Sequence, residues 1–244
     1  MVSTPALLIE NVSVAYAGKP AISNIDLSVD AGEIFGLMGL NGAGKTTLIK
    51  SILGLRNQDT GQISILGQEK LSPQSKAKLS YLPEKFEPPW FLTGMEFLRF
   101  SLQLYKQPFN KNEMIAAAQA LALDTDALNR RMNTYSKGMR QKLGLMGTML
   151  TGCSLFILDE PMSGLDPLAR SLVKKMINEM RDKDRTIFLS SHILADMDEI
   201  CDRVALLHDG EIRYVGTTDN LKKQTHTDNL EQAFLEFIEH KDVA

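Results

Sequence analysis

Residues 39–46 read Gly-Leu-Asn-Gly-Ala-Gly-Lys-Thr, and this octapeptide constrains the fold more than any other part of the chain. It matches the pattern G-x-x-x-x-G-K-[ST] in full, between a predicted strand (34–38) and a predicted helix (46–53). Glycines let the backbone turn so that successive N–H groups point inward, and the helix N-terminus adds positive charge. The sequence therefore predicts a phosphate-binding loop in an α/β fold.

The side chains of this loop have separate predicted tasks. Lys45 can reach the β- and γ-phosphates of a nucleotide, and Thr46 can place its hydroxyl on Mg²⁺. A chance glycine turn is the alternative, and the full match in this context disfavours it. The residues expected to surround the phosphates are Gly39, Leu40, Asn41, Gly42, Ala43, Gly44, Lys45, Thr46 and Thr47.

A second motif is an apolar run, Leu155–Leu158, followed by Asp159 and Glu160. Acids at the carboxyl end of a buried strand lie where open α/β sheets bind ligands. Asp159 is predicted to hold Mg²⁺, and Glu160 to polarise an attacking water. An ordinary acidic strand end is the alternative, and the phosphate loop disfavours it. Together the two motifs predict a nucleoside triphosphatase.

Segments with the hydrophobic pattern of a strand alternate along the chain with segments that have the pattern of a helix. Strands are predicted at 7–14, 21–29, 34–38, 63–66, 79–82, 155–158, 186–190, 204–208 and 212–215. Helices are predicted at 46–53, 94–104, 112–123, 126–132, 136–150, 168–180, 193–201 and 229–238. This alternation indicates an α/β core with a largely parallel sheet, into which a helix-rich middle segment is inserted.

Composition excludes several classes of protein. The 244 residues are 43% hydrophobic and 23% charged, so a disordered chain, a fibrous repeat and a disulfide-stapled mini-protein are excluded. The net charge of −3 gives no basic surface for nucleic acid, and no nucleic-acid partner is expected. We expect neither a signal peptide nor a membrane span. Cys153 and Cys201 lack CxxC spacing and are expected to be buried thiols.

Four further segments carry a family resemblance. Tyr135–Lys142, reading YSKGMRQK, resembles the signature sequence of ATP-binding cassette (ABC) ATPases, and Ser163–Asp166 resembles their D-loop. His192 is similar in position to their switch histidine, and Tyr16 to their adenine-stacking aromatic residue. The resemblance spans roughly residues 5–216 and is strongest to the ATPase subunits of bacterial ABC-2-type exporters.

For the fold, the resemblance implies a P-loop NTPase (RecA-like) core with a mainly parallel sheet, an N-terminal antiparallel β part and an inserted helical subdomain. The ATPase domain would comprise residues 1–217, with the core at about 1–83 and 153–217 and the helical subdomain at about 84–152. Residues 218–244 would form a C-terminal helical tail.

For the mechanism, the resemblance implies that two copies, or one copy and a paralogous ATPase, close head-to-tail around two MgATP. Each site would take Lys45, Thr46, Asp159, Glu160, Glu84 and His192 from one chain. Ser136 and Gly138 would come from the other chain, with the D-loop Asp166 also near the nucleotide. A separate transmembrane permease would use this cycle, with the ATPase peripheral on the cytoplasmic face of the membrane.

Several points stay open at this stage. Glu84 stands where the family usually has Gln, and Lys137 where Gly is commonest in the signature. The aromatic segment Phe86–Leu92 is expected either to bury in the helical subdomain or to line a groove for another chain. An importer subunit, a non-transport ABC ATPase and a module that binds ATP without hydrolysing it are the alternatives to an exporter.

Overall fold

The computed structural model describes residues 4–183 and 185–239, where two β-sheets are combined with helices. The strands are β1 (Leu7–Tyr16), β2 (Lys19–Val29), β3 (Ile34–Met38), β4 (Thr60–Ile65), β5 (Gln68–Glu69), β6 (Leu79–Leu82), β7 (Leu155–Asp159), β8 (Thr186–Ser191), β9 (Arg203–His208) and β10 (Glu211–Gly216). The helices are α1 (Lys45–Ile52), α2 (Pro73–Lys76), α3 (Gly94–Leu104), α4 (Lys111–Ala120), α5 (Lys137–Met149), α6 (Pro167–Arg181), α7 (Leu194–Ile200), α8 (Thr218–Gln224) and α9 (Leu230–Glu239).

The larger sheet has six strands in the order β10-β9-β3-β8-β7-β6. All neighbours in it are parallel except β9 and β10, which form an antiparallel hairpin through Asp209 and Gly210. Because β3, β8 and β7 are adjacent and parallel, the segments that follow them emerge at the same edge. Those segments are the phosphate loop, His192 and Glu160. The predicted mainly parallel α/β core is confirmed.

The smaller sheet is antiparallel, with the order β2-β1-β4-β5. It begins with the hairpin of β1 and β2, in which Tyr16 pairs with Lys19 across Ala17 and Gly18. Both turn residues have positive φ, as a tight two-residue hairpin requires. This sheet is the predicted N-terminal antiparallel part, and its hairpin reaches the edge where the phosphate loop lies.

Alternate residues of the parallel strands face opposite sides, as the two-residue period of a strand demands. Phe35 and Phe188 point toward the antiparallel sheet and stack with ring centroids 6.0 Å apart. Ile34 and Ile187 point the other way and join the core formed with the helices. The strands β3, β7 and β8 are buried throughout, which explains the apolar runs within them: 34–38, 155–158 and 187–189.

The helix-rich segment between β6 and β7 contains α3, α4 and α5, near the predicted positions. Thr93 caps α3 in a capping box with Glu96. The predicted helix at 126–132 is wrong: two short 3₁₀ helices stand there, separated by the extended residues Arg130 and Arg131. Here the backbone N–H of Met132 donates to Leu92 O at 2.9 Å, and this pairing replaces a helical bond.

Hydrophobic periodicity did not indicate two short helices, α2 and α8, although α8 lies within the expected helical tail. Ser72 and Thr217 cap α2 and α8 with their side-chain oxygens, and Pro73 begins α2. Helix α9 buries Leu230 and Phe234 against the rest of the chain, so the tail packs on its own fold. The domain boundaries near 83, 152 and 217 remain predictions, and residues 240–244 of the predicted tail lie outside the described residues.

Over residues 4–183 and 185–239, none of the helices has the length and apolar character that crossing a bilayer requires.

Phe188→Ala tests the packing between the two sheets. Phe188 is fully buried and stacked on Phe35, so truncation leaves a cavity that should lower the free energy of unfolding by about 3–5 kcal/mol. Urea denaturation measures this change. Leu104→Ala is the control, because Leu104 is 65% exposed and its truncation should change stability little. Equal effects of the two substitutions would contradict this description of the core.

Candidate functional site

A cavity of about 270 Å³ lies at the edge where β3, β7 and β8 end. It is lined by Ala21, Leu40, Asn41, Gly42, Gly44, Lys45, Thr46, Thr47, Glu84, Asp159, Glu160 and His192. All of these residues except Ala21 were predicted as site residues from the sequence. The fold thus brings the phosphate loop, the acidic strand end and His192 together.

The backbone of the phosphate loop depends on glycine at two positions. Gly42 and Gly44 have φ of 89° and 110°, which other residues rarely adopt. At Gly44 a Cβ would also lie 2.8 Å from the carbonyl oxygen of Ala21. Gly44 precedes α1 and gives it no side-chain cap, so the first N–H groups of the helix stay available for an anion.

Lys45 connects the loop with the acidic strand end. Its side chain is buried, and its ammonium donates to Gly39 O at 2.7 Å. The same nitrogen lies 3.9 Å from Glu160 Oε1. A triphosphate entering the cavity therefore meets a cation that is already placed between the loop and the carboxylates. Gly39 and Ala43 do not line the cavity themselves, but Gly39 orients this lysine through its carbonyl oxygen.

Asp159 is a buried carboxylate at the end of β7. Burial raises its pKa above the usual range, the nearby Glu84 and Glu160 add to the rise, and the hydrogen bond from Ser190 opposes it. Ser190 Oγ donates to Asp159 Oδ1 and accepts the backbone N–H of Glu160 at 3.1 Å. Sequence reasoning missed Ser190, since a serine in an apolar strand shows no pattern that marks it.

Glu160 is held in an unusual backbone conformation. Its φ is 49°, in the left-handed region, and its N–H also donates to Ser190 O at 3.2 Å. His192 Nδ1 lies 2.7 Å from Glu160 Oε2, so the carboxylate stands between Lys45 and an imidazole. One carboxylate oxygen of Glu160 thus faces Lys45 and the other faces His192. A carboxylate held in this way is suited to accept a proton from a water molecule in the cavity.

Hard oxygen ligands suited to Mg²⁺ come from three elements. Thr46, Asp159 and Glu84 all line the cavity, and hydroxyl and carboxylate oxygens are what this cation prefers. Among residues 4–183 and 185–239 there is no cluster of three or more His, Cys, Asp or Glu arranged for a metal. The carboxylates of Asp159 and Glu84 match the one or two that Mg²⁺ usually takes from a protein, with further oxygens supplied by substrate phosphates.

Besides Gly39 and Ala43, the predicted site residues that do not line the cavity are Tyr16, Ser136, Gly138 and Asp166. Ser136 and Asp166 are exposed and serve as N-caps of α5 and α6, accepting from Met139 N and Ala169 N. The Lys137 side chain lies against the D-loop. Its ammonium nitrogen would be only 3.0 Å from a Cβ placed on Gly164. The signature and the D-loop are therefore neighbours on a surface of the same chain.

Tyr16 ends β1 and keeps 44% of its surface exposed. The guanidinium carbon of Arg56 lies 5.0 Å from the centroid of the Tyr16 ring, within cation–π range. Arg56 is a second residue that sequence reasoning missed. It lies 40 positions further along the chain, and no pattern in the sequence connects the two residues.

The aromatic segment after β6 divides between the two predicted environments. Phe86 packs edge-on against Phe97 at 5.4 Å and joins the helical core. Trp90 and Phe91 contact each other and stay 65% and 56% exposed. Trp90 also lines a second cavity of about 500 Å³, together with Lys137 and Arg140. Part of the segment is core, and part is surface.

Comparison with protein families and curated proteins places this geometry in context. The family model described as "ABC transporter" matches residues 22–163. An ABC transporter ATP-binding protein of Synechocystis sp. is 38% identical over 200 residues, covering 81% of this chain and 56% of the relative. The fluoroquinolones export ATP-binding protein of Mycobacterium tuberculosis is 35% identical over 228 residues, covering 91% and 74%.

Comparison with other proteins extends this similarity over most of the chain. The ABC-type transporter ATP-binding protein EcsA of Bacillus subtilis is 33% identical over 224 residues, covering 89% of this chain and 90% of EcsA. A solved ATP-binding subunit of an ABC transporter superposes with a TM-score of 0.86 at 32% identity, covering 96% of this chain and all of that chain. The matches to two cyanobacterial relatives span 56% and 63% of those proteins' length.

Asp159→Asn tests the electrostatics of the site without any nucleotide. Burial raises the pKa of Asp159 above 3.8, so the folded chain holds the proton more tightly than the unfolded chain. The stabilisation from that proton is present at low pH and is lost as the pH rises through the raised pKa. At pH 7 we therefore expect the neutral variant to be more stable than the wild type.

Urea titrations over a pH series measure this difference, which should shrink as the pH falls through the raised pKa. Asp228→Asn, at an exposed position, is the control and should show no such trend. An Asp159→Asn variant that is less stable than the wild type at pH 7 would contradict the account of a destabilised carboxylate.

Proposed function

Since this chain belongs to the ABC transporter family of ATP-binding proteins, we propose that it binds and hydrolyses ATP to drive a separate membrane permease. The observation that carries the proposal is the meeting of Lys45, Asp159, Glu160 and His192 around one cavity. Hydrolysis of a nucleoside triphosphate needs a cation for the phosphates, a carboxylate for Mg²⁺ and a base for the water. Lys45, Asp159 and Glu160 are suited to these tasks, and His192 lies beside the base.

In the proposed reaction Glu160 accepts a proton from water, and the water oxygen attacks the γ-phosphorus. The bond from that phosphorus to the bridging oxygen breaks, which releases ADP and inorganic phosphate. Lys45 and the N–H groups at the start of α1 stabilise negative charge on the phosphates. His192, which lies 2.7 Å from Glu160 through Nδ1, orients the base, and it also lines the cavity that would receive the γ-phosphate.

Mg²⁺ would be held by Thr46, Asp159 and Glu84, and when bound it would neutralise charge on the phosphate oxygens. Glu84 adds a carboxylate where the family usually has an amide. Ser190 keeps Asp159 ready for this task, because its hydroxyl favours the ionised carboxylate that ligates a cation.

The proposed working form is a head-to-tail dimer. Ser136, Gly138 and Asp166 do not line the cavity of their own chain. A hydroxyl at a helix N-terminus is suited to bind phosphate, and these groups are on an accessible surface. A second copy, or a paralogous ATPase, would receive them, so that each site is built from two chains.

Coupling to the permease is proposed to use the surface around Trp90 and Phe91. These exposed rings follow Glu84 by a few residues, so a partner bound there is connected to the cavity through a short segment. Export is the direction we favour, since one similar protein carries export in its name and the signature most resembles exporter ATPases.

Glu160→Gln tests the role of the base. The variant keeps the phosphate loop and should bind ATP normally, while hydrolysis falls by about a hundredfold to ten-thousandfold because the amide cannot accept the proton. Phosphate release and a fluorescent ATP analogue measure the two quantities, and light scattering should show an accumulated dimer with ATP.

Glu113→Gln is the matched control, because Glu113 is exposed on α4, a helix that contributes no residue to the cavity. It should hydrolyse ATP at the wild-type rate. Turnover by Glu160→Gln close to the wild-type rate would remove Glu160 from the role of base.

A further inference from the structure

Arg56 follows α1 in the chain and lies over the ring of Tyr16, although neither residue lines the cavity. We propose that Arg56 is a positioning residue for the adenine of ATP. The arginine side chain covers one face of the Tyr16 ring and fixes the end of the strand that carries this ring. The base then stacks on the opposite face. This inference rests on the proposed function, since it requires Tyr16 to receive the adenine.

The ring contact is the first observation. The guanidinium carbon is 5.0 Å from the ring centroid, and a planar guanidinium at this distance attracts the electron-rich face of tyrosine. Tyr16 nevertheless stays 44% exposed, so the contact does not enclose the ring. An exposed tyrosine would otherwise sample several rotamers, and the arginine reduces that freedom before any ligand arrives.

The backbone below the ring is held by the same segment. Arg56 Nη2 donates to Ala15 O at 2.8 Å, and Ala15 N donates to Asp59 Oδ2 at 2.7 Å. Both polar backbone groups of the residue before Tyr16 are therefore bonded to side chains from 56–59. Arg56 Nη2 also lies 4.0 Å from Asp59 Oδ1, so the two side chains that bind Ala15 attract each other.

The contacts of Arg56 also connect the Tyr16 ring with the phosphate loop. Arg56 N donates to Lys50 O at 3.1 Å, and Lys50 belongs to α1, the helix that begins at Lys45. The hairpin that carries Tyr16 also contributes Ala21 to the cavity wall. Arg56 thus fixes the place of the aromatic ring relative to the atoms that bind phosphate, which is what a ligand with a base and a triphosphate needs.

The test compares ATP with inorganic tripolyphosphate, which has the phosphates and lacks the base. Calorimetric titration of the full chain with each compound is carried out for the wild type and Arg56→Gln. We expect the affinity for ATP to fall about threefold and the affinity for tripolyphosphate to stay unchanged. An equal loss for both compounds would overturn the inference, because the effect would then be on the phosphate loop or the fold.

Arg99→Gln is the matched control. Arg99 lies over the Phe109 ring at 4.5 Å, so this variant loses the same kind of contact in the helical region. It should bind both compounds like the wild type. Should Arg56→Gln fail to fold, Arg56→Lys keeps the positive charge and is subject to the same comparison, with a smaller loss for ATP and none for tripolyphosphate expected.

A double-mutant cycle with Tyr16→Ala shows whether Arg56 acts through the ring. Tyr16→Ala alone should weaken ATP binding about tenfold, as loss of an aromatic stacking partner does. Adding Arg56→Gln should then cause no further loss. A further loss of about threefold, as in the wild-type background, would overturn the inference.

Two outcomes separate this inference from the function it rests on. If Tyr16→Ala bound ATP as tightly as the wild type, Tyr16 would not stack on adenine and Arg56 would have no positioning role. The proposal that Glu160 supports ATP hydrolysis would be unaffected. A loss in Tyr16→Ala with no loss in Arg56→Gln would keep the platform and overturn the role of Arg56 alone.

Discussion

The parallel pairing of β8 with β3 on one side and β7 on the other is the constraint on which the site depends. It brings three segments that are far apart in the chain to one edge of the sheet. Ser190 then joins two of them, since its hydroxyl binds Asp159 and its backbone and side chain both accept from Glu160. The chemistry is possible because the pairing register places these acids opposite this serine.

The site is arranged at a cost to the stability of the fold. Asp159 is buried with a raised pKa, and Glu160 adopts a left-handed backbone conformation. Such groups persist where the surrounding structure determines them, and here the surrounding structure is a sheet core of fully buried strands. A rigid, apolar core thus supports a small polar cavity whose charges favour the arrival of a cation and a polyanion.

Much of this site could be predicted from the sequence, because the phosphate loop and the acidic strand end have local spacing rules with physical reasons. The parallel sheet was predicted from the alternation of strand and helix patterns along the chain. Ser190 and Arg56 could not be predicted, since their roles come from contacts between segments distant in sequence. The wrong helix at 126–132 has the same origin: the pairing of Met132 with Leu92 outweighs local helix propensity.

In the proposed head-to-tail dimer, each chain holds complementary halves of two sites. Lys45→Ala removes the phosphate-loop half, and Gly138→Asp places a like charge where the signature would meet phosphate. Each variant alone should hydrolyse ATP poorly. Mixing them is the most direct test, because a head-to-tail pair then contains one site with an intact Lys45 and an intact Gly138. We expect the mixture to recover a clear fraction of wild-type ATPase activity, and a rate equal to the sum of the two separate variants would contradict the shared site.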